Sequence, residues 1–145
     1  MERRSVLRTG VASFLALFGA GFALCSKEKK QPVTGPQENG NTVDLDLNDS
    51  AHAALRNVGG AMKINLAGVS NPVLVIRRAQ DQVGALSVIC THAGCEIGLP
   101  QNHEIACPCH DSRFGLDGSV IRGPATQPLP AYPAVIRDQI ISITV

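Results

Sequence analysis

The chain has 145 residues, with 13 basic and 12 acidic side chains, four His, five Cys, no Trp and aromatic residues at 3%. A formal net charge of +1 with so few aromatics leaves nucleic-acid binding without support, because neither a basic stripe nor a set of stacking rings is present. Charge is also uneven: Met1–Lys30 holds six basic and two acidic residues, so everything beyond it is mildly acidic.

Residues 1–25 read as an export segment or membrane anchor. Arg3, Arg4 and Arg8 precede the uncharged apolar run Val11–Leu24, the order of a charged start followed by a hydrophobic core. The stretch Arg3-Arg4-Ser5-Val6-Leu7-Arg8 resembles a twin-arginine signal, a route that carries folded cargo. Thr9–Ser26 as a helix would span roughly 27 Å, so a retained anchor, simple cleavage and lipidation at Cys25 all stay open.

Residues 26–41 contain two Pro, two Gly and three Lys but no Ile, Leu or aromatic residue, too little apolar surface to order a segment. They read as a flexible tether with an r.m.s. span of about 20 to 24 Å. The remainder, 42–145, suffices for one small domain.

Its pattern is β. Val43, Leu45 and Leu47 alternate with polar residues, as do Met62, Ile64 and Leu66. Pro72–Arg77, Ala85–Ile89 and Ile140–Val145 are β-branched runs, and a brief strand is expected at Glu104–Ala106. Gly59-Gly60, Gly84, Gly115, Gly118 and Asp138-Gln139 are expected to mark turns. Only Asp49–Asn57 looks helical, with Asn48 or Asp49 as its N-cap.

The chemistry lies in two short runs, Cys90-Thr91-His92-Ala93-Gly94-Cys95 and Cys107-Pro108-Cys109-His110-Asp111-Ser112. They place C-x-H before C-x-x-H, so that two thiolates and two imidazoles are available to one metal centre. That donor set suits a [2Fe-2S] centre in which His replaces Cys on one iron, which makes it easier to reduce than an all-cysteine cluster. A tetrahedral structural zinc is the alternative, although common zinc modules group Cys with Cys and His with His. Asp111 and Asp117 read as solvated charges, and His52, His103, Glu96 and Glu104 receive no role.

C-T-H-x-G-C, C-P-C-H-x-S and the following Gly118-Ser119-Val120-Ile121-Arg122-Gly123-Pro124-Ala125 resemble the Rieske iron–sulfur proteins, over roughly Gly84–Tyr132. The resemblance implies an all-β fold, a Rieske-like antiparallel β sandwich with a metal-binding loop subdomain at its tip. It implies one [2Fe-2S] cluster per subunit, held by Cys90, His92, Cys107 and His110, and a disulfide between Cys95 and Cys109. It further implies that Ser112 donates to a bridging sulfide, that Gly123 and Pro124 belong to a third loop covering the cluster, and that His110 contacts quinol. A persistent disulfide suits an oxidising compartment.

The function so implied is that of the iron–sulfur subunit of a quinol–cytochrome c oxidoreductase, with cytochrome b, a c-type cytochrome and quinol as partners, at the outer face of a bacterial inner membrane. Three positions depart from the quinol-oxidising members: Phe114 stands where they carry Tyr, Ala93 replaces a bulky residue, usually Leu, and Asp111 replaces Gly. Those departures keep a second expectation in play, a small Rieske subunit of a molybdenum oxidase of the arsenite oxidase kind or a free-standing exported carrier.

Overall fold

Val73-Leu74-Val75-Ile76 is apolar at every position, which a strand tolerates only when both of its faces are buried. The computed structural model, which describes residues 41–145, places that run at the centre of the domain. The expectations for the export segment, Cys25 and the tether up to residue 40 lie outside the described residues. Among the described residues no helix is long and apolar enough to cross a membrane.

Three antiparallel sheets form. The first orders β1 (Thr42–Asp46), β10 (Ile140–Thr144) and β9 (Ala134–Arg137). The second orders β2 (Ala61–Ile64), β3 (Val73–Ala79), β4 (Gln82–Ser87) and β8 (Ala131–Tyr132). The third, small sheet consists of β5 (Glu104–Ala106), β6 (Arg113–Gly115) and β7 (Val120–Arg122). The all-β antiparallel architecture is thus the one expected.

Successive side chains of a strand point to opposite faces, and β3 and β4 use both. Val73, Val75, Val83 and Ala85 pack with Leu45, Ile141 and Ile143 of the first sheet and with Leu47 in the turn after β1. Leu74, Ile76 and Leu86 pack the other way, with Ile97, Ile105, Phe114, Leu129 and the two cysteines Cys90 and Cys107. Burying aliphatic side chains on this scale contributes about 1.5 to 3 kcal/mol each, and it welds the loop-bearing tip to the sandwich through one shared sheet.

Several local expectations change. The segment expected to be helical is a 3-10 helix, Ser50–Leu55, with the Asp49 carboxylate accepting from the Ala51 amide as its cap. Gly84 is no turn: it lies buried inside β4, opposite Ile76. Gly115 closes β6 rather than turning the chain, the turn falling at Leu116–Gly118. The short strands β6 to β9 had no periodicity long enough to read. The turn at Asp138-Gln139 does form, with φ of 47° and 68°.

Gly60 is required for a different reason. A Cβ there would sit 1.8 Å from the Ala54 carbonyl oxygen and 3.0 Å from that of Asn57. Both obstacles are backbone, so Gly60→Ala is expected to cost about 1 to 3 kcal/mol, the range for overpacking. The check is the denaturation midpoint, and an unchanged value would mean that the 3-10 helix moves freely away from β2.

Candidate metal centre

Two loops of the same construction stand at the tip. In the first, after β4, the Cys90 amide donates to the Cys95 carbonyl at 2.8 Å and the Gly94 amide to the Cys90 carbonyl at 3.0 Å. In the second, between β5 and β6, the Cys107 amide donates to the Ser112 carbonyl at 2.8 Å and the Asp111 amide to the Cys107 carbonyl at 3.1 Å. Each wrap needs a left-handed residue in its fifth place, supplied by Gly94 (φ 74°) and by Asp111 (φ 58°). Glycine adopts that conformation without penalty, while Asp is among the few other residues that tolerate it.

The wraps sort the donors by depth. Cys90 and Cys107, first in each loop, are free thiols buried in the core. His92 and His110 are exposed, their rings edge to face with centroids 4.8 Å apart. Cys95 and Cys109 form a disulfide with Cα atoms 6.5 Å apart, within the usual range for such a bond. The Sγ atoms of Cys95, Cys107 and Cys109 all lie within 4.8 Å of one another. Two of those three sulfurs are spent on each other, so that trio is a disulfide beside a thiol rather than a metal site.

Burial, with the Cys90 thiol beside it, pushes the Cys107 thiol above its ordinary value. A metal binds the thiolate, so loading the site displaces a proton there. Two thiols on the buried side and two imidazoles on the solvent side fit a cluster of mixed Cys and His ligation.

A third loop leans over both wraps. The Ala125 amide donates to Ser112 Oγ at 3.0 Å, and Thr91 Oγ1 donates to the Gln127 carbonyl at 2.6 Å. Gly123-Pro124 begins this segment, directly after β7. Ser112 is fully buried, as is Phe114, which shares the core with both thiols.

Sequence reasoning passed over several residues that build the tip. Thr91 lies inside the first run and Gln127 in no motif, and a bond across 36 positions leaves no local signal. Glu96 pairs with Lys63 of β2 at 2.5 Å, and Lys63 also donates to the Ile97 carbonyl at 2.6 Å, pinning the exit of the first loop to the sheet. Asp111 is not merely solvated: Arg113 and Arg122 both pair with it. His52, left without a role, has its Nδ1 2.8 Å from the Asp46 carbonyl oxygen.

Known proteins share this arrangement. The sequence profile of the Rieske [2Fe-2S] domain matches residues 50–133. The cytochrome b6-f complex iron-sulfur subunit 3 of Nostoc sp. (strain PCC 7120) is 36% identical over 153 residues, covering 99% of this chain and 85% of that protein. The cytochrome bc1 complex Rieske iron-sulfur subunit of Streptomyces lividans is 45% identical over 65 residues, which is 42% of this chain and 38% of that one. Several further relatives are matched over less than half of their length, among them the cytochrome b6-f complex iron-sulfur subunit of Chlorobaculum tepidum, of which 34% is covered. In structure, the plasma membrane Rieske protein PetC3 of Synechocystis PCC 6803 superposes with a TM-score of 0.57 at 27% identity, over 71% of this chain and 99% of that chain. With the profile spanning more than half of the sequence, the zinc alternative falls away, and the two-loop tip and its sandwich place this chain in the Rieske [2Fe-2S] family.

Proposed function

We propose that the protein is the electron-transferring iron–sulfur subunit of a quinol–cytochrome c oxidoreductase. The observation that carries this reading is the pair of exposed imidazoles, 4.8 Å apart, in front of two buried free thiols. Cys90 and Cys107 would hold the cluster from the buried side, and His92 and His110 from the solvent side. When bound, the [2Fe-2S] cluster supplies the uptake and release of one electron.

The remaining work belongs to the side chains. An imidazole that gives one ring nitrogen to a metal keeps the other for a partner. On that nitrogen His110 accepts the hydrogen bond of a quinol hydroxyl and takes up its proton, and His92 shares the load. Ser112 donates its hydroxyl proton toward the cluster, while Pro124 and the disulfide keep water from the thiolates. Residues 42–145 form the head, 26–41 the tether and 1–25 the export segment or anchor, which sets the head at the outer face of a bacterial inner membrane. The relatives named as subunits of cytochrome b6-f and bc1 complexes support cytochrome b and a c-type cytochrome as its partners.

Ala93, small and exposed at the tip, favours a second reading, an exported carrier or a subunit of a molybdenum oxidase. One experiment separates the two. Membranes of the source cell lacking this chain are expected to lose quinol-dependent reduction of cytochrome c, and the tagged chain to co-purify with b-type haem. Retained quinol oxidation together with haem-free purification would overturn the first reading in favour of the second.

A further inference from the structure

Position 111 asks for a left-handed residue, and the equivalent place in the first loop is filled by Gly94, the residue for which that conformation is free of strain. What Asp111 adds over glycine is a carboxylate, and both of its oxygens are engaged. Oδ1 lies 3.3 Å from Arg113 Nη2 and Oδ2 lies 3.1 Å from Arg122 Nη1. Arg113 and Arg122 face one another in register across β6 and β7. Arg113 continues to Glu104 of β5, Nη1 to Oε2 at 3.1 Å, so four alternating charges run across the whole small sheet. The chain of charges runs from Glu104 through Arg113 and Asp111, one residue from His110, and ends at Arg122, the residue before Gly123-Pro124.

From this juxtaposition we propose that Asp111 is a positioning residue: it ties the second ligand loop to the third, covering loop through Arg122, at the solvent edge where Ser112 and Thr91 do not reach. Those two hold the covering loop from beneath, at Ala125 and Gln127. Arg122 holds its leading end from outside. A single exposed ion pair stabilises little, but a network with a shared carboxylate on a rigid sheet is the case in which such pairs count. The tie also leaves a negative charge one residue from an imidazole that meets the partner, and Arg122 and Arg113 balance it. The role at the cluster rests on the metal-centre reading given above; the tie between the loops does not.

The test uses the full chain as purified, in five forms: wild type, Asp111→Gly, Arg122→Gln, the double variant and Arg122→Lys. Hydrogen exchange by mass spectrometry is followed in the peptide spanning residues 120–126. Asp111→Gly and Arg122→Gln are each expected to accelerate exchange about threefold, as for one exposed pair lost. The double variant should go little further, since both changes break one contact, and Arg122→Lys should stay near wild type.

Voltammetry supplies the readout that a merely structural role would not move. Reduction adds negative charge, so removing the anion in Asp111→Gly raises the potential and removing the cation in Arg122→Gln lowers it, although both loosen the same loop. Unchanged exchange in Asp111→Gly, or full additivity in the double variant, overturns the tie. Potentials that move in the same direction in both variants overturn the electrostatic role. A reduced wild type without an EPR signal would count against the metal-centre reading, and exchange would still decide the tie.

Discussion

Replacing Cys95 and Cys109 together by serine is expected to shorten the lifetime of the loaded centre by about tenfold to a hundredfold. The bond closes a loop with a sequence separation of 14, and the chain-entropy account gives such a cross-link about 3 kcal/mol. That energy is concentrated where it matters. The disulfide is the covalent link between the two ligand wraps, which otherwise meet through the neighbouring Cys90 and Cys107 thiols, the edge-to-face His92 and His110 rings and, by way of Thr91 and Ser112, the covering loop. The core between the first sheet and β3–β4 lies on the opposite face and loses none of its own contacts. The ligand count is untouched, so the visible spectrum of freshly prepared protein should match wild type, and bleaching in the presence of a chelator should be fast. A bleaching rate equal to wild type would show that the disulfide does not restrain the wraps.

Ser112→Ala is expected to weaken the tip and lower the reduction potential at once. Ser112 is fully buried and its Oγ accepts the amide of Ala125, itself only 3% exposed. Alanine removes that acceptor and leaves a buried N–H without a partner, a loss of about 1 to 3 kcal/mol. The hydroxyl proton is separate: an oxygen that accepts from Ala125 still has its own hydrogen to give. Donated toward the cluster, that proton favours the reduced, more negative form, and a bond of about 1 to 2 kcal/mol corresponds to roughly 40 to 90 mV for one electron. Thermal denaturation reads the first effect and voltammetry the second. Lost stability with a potential within about 15 mV of wild type would assign Ser112 to the covering loop alone, against the roughly 40 mV that the donated bond requires.

The two runs at 90–95 and 107–112 were legible because their meaning is chemical and local. Thiols and imidazoles carry their ligand character wherever the chain takes them, and the spacing of each run is set by a single turn of backbone. The sandwich was legible too, since alternation in β1 and continuous apolar character in β3 report burial strand by strand.

Other features had to wait for the fold. β8 and β9, of two and four residues, carry no polar–apolar alternation that could mark them, and they exist because β4 and β10, already in place, offer hydrogen bonds. That β3 and β4 serve two cores, one of them containing Cys90 and Cys107, follows from which sheet lies on which side, information that no single strand contains. Asp111 illustrates the limit best. In sequence it is an acidic residue where the quinol-oxidising members carry glycine, one of twelve acidic side chains. Only the pairing of β6 with β7 brings Arg113 and Arg122 side by side beneath it, and an ion pair is decided by distance in space, to which residues nine or eleven positions apart in the chain give no clue.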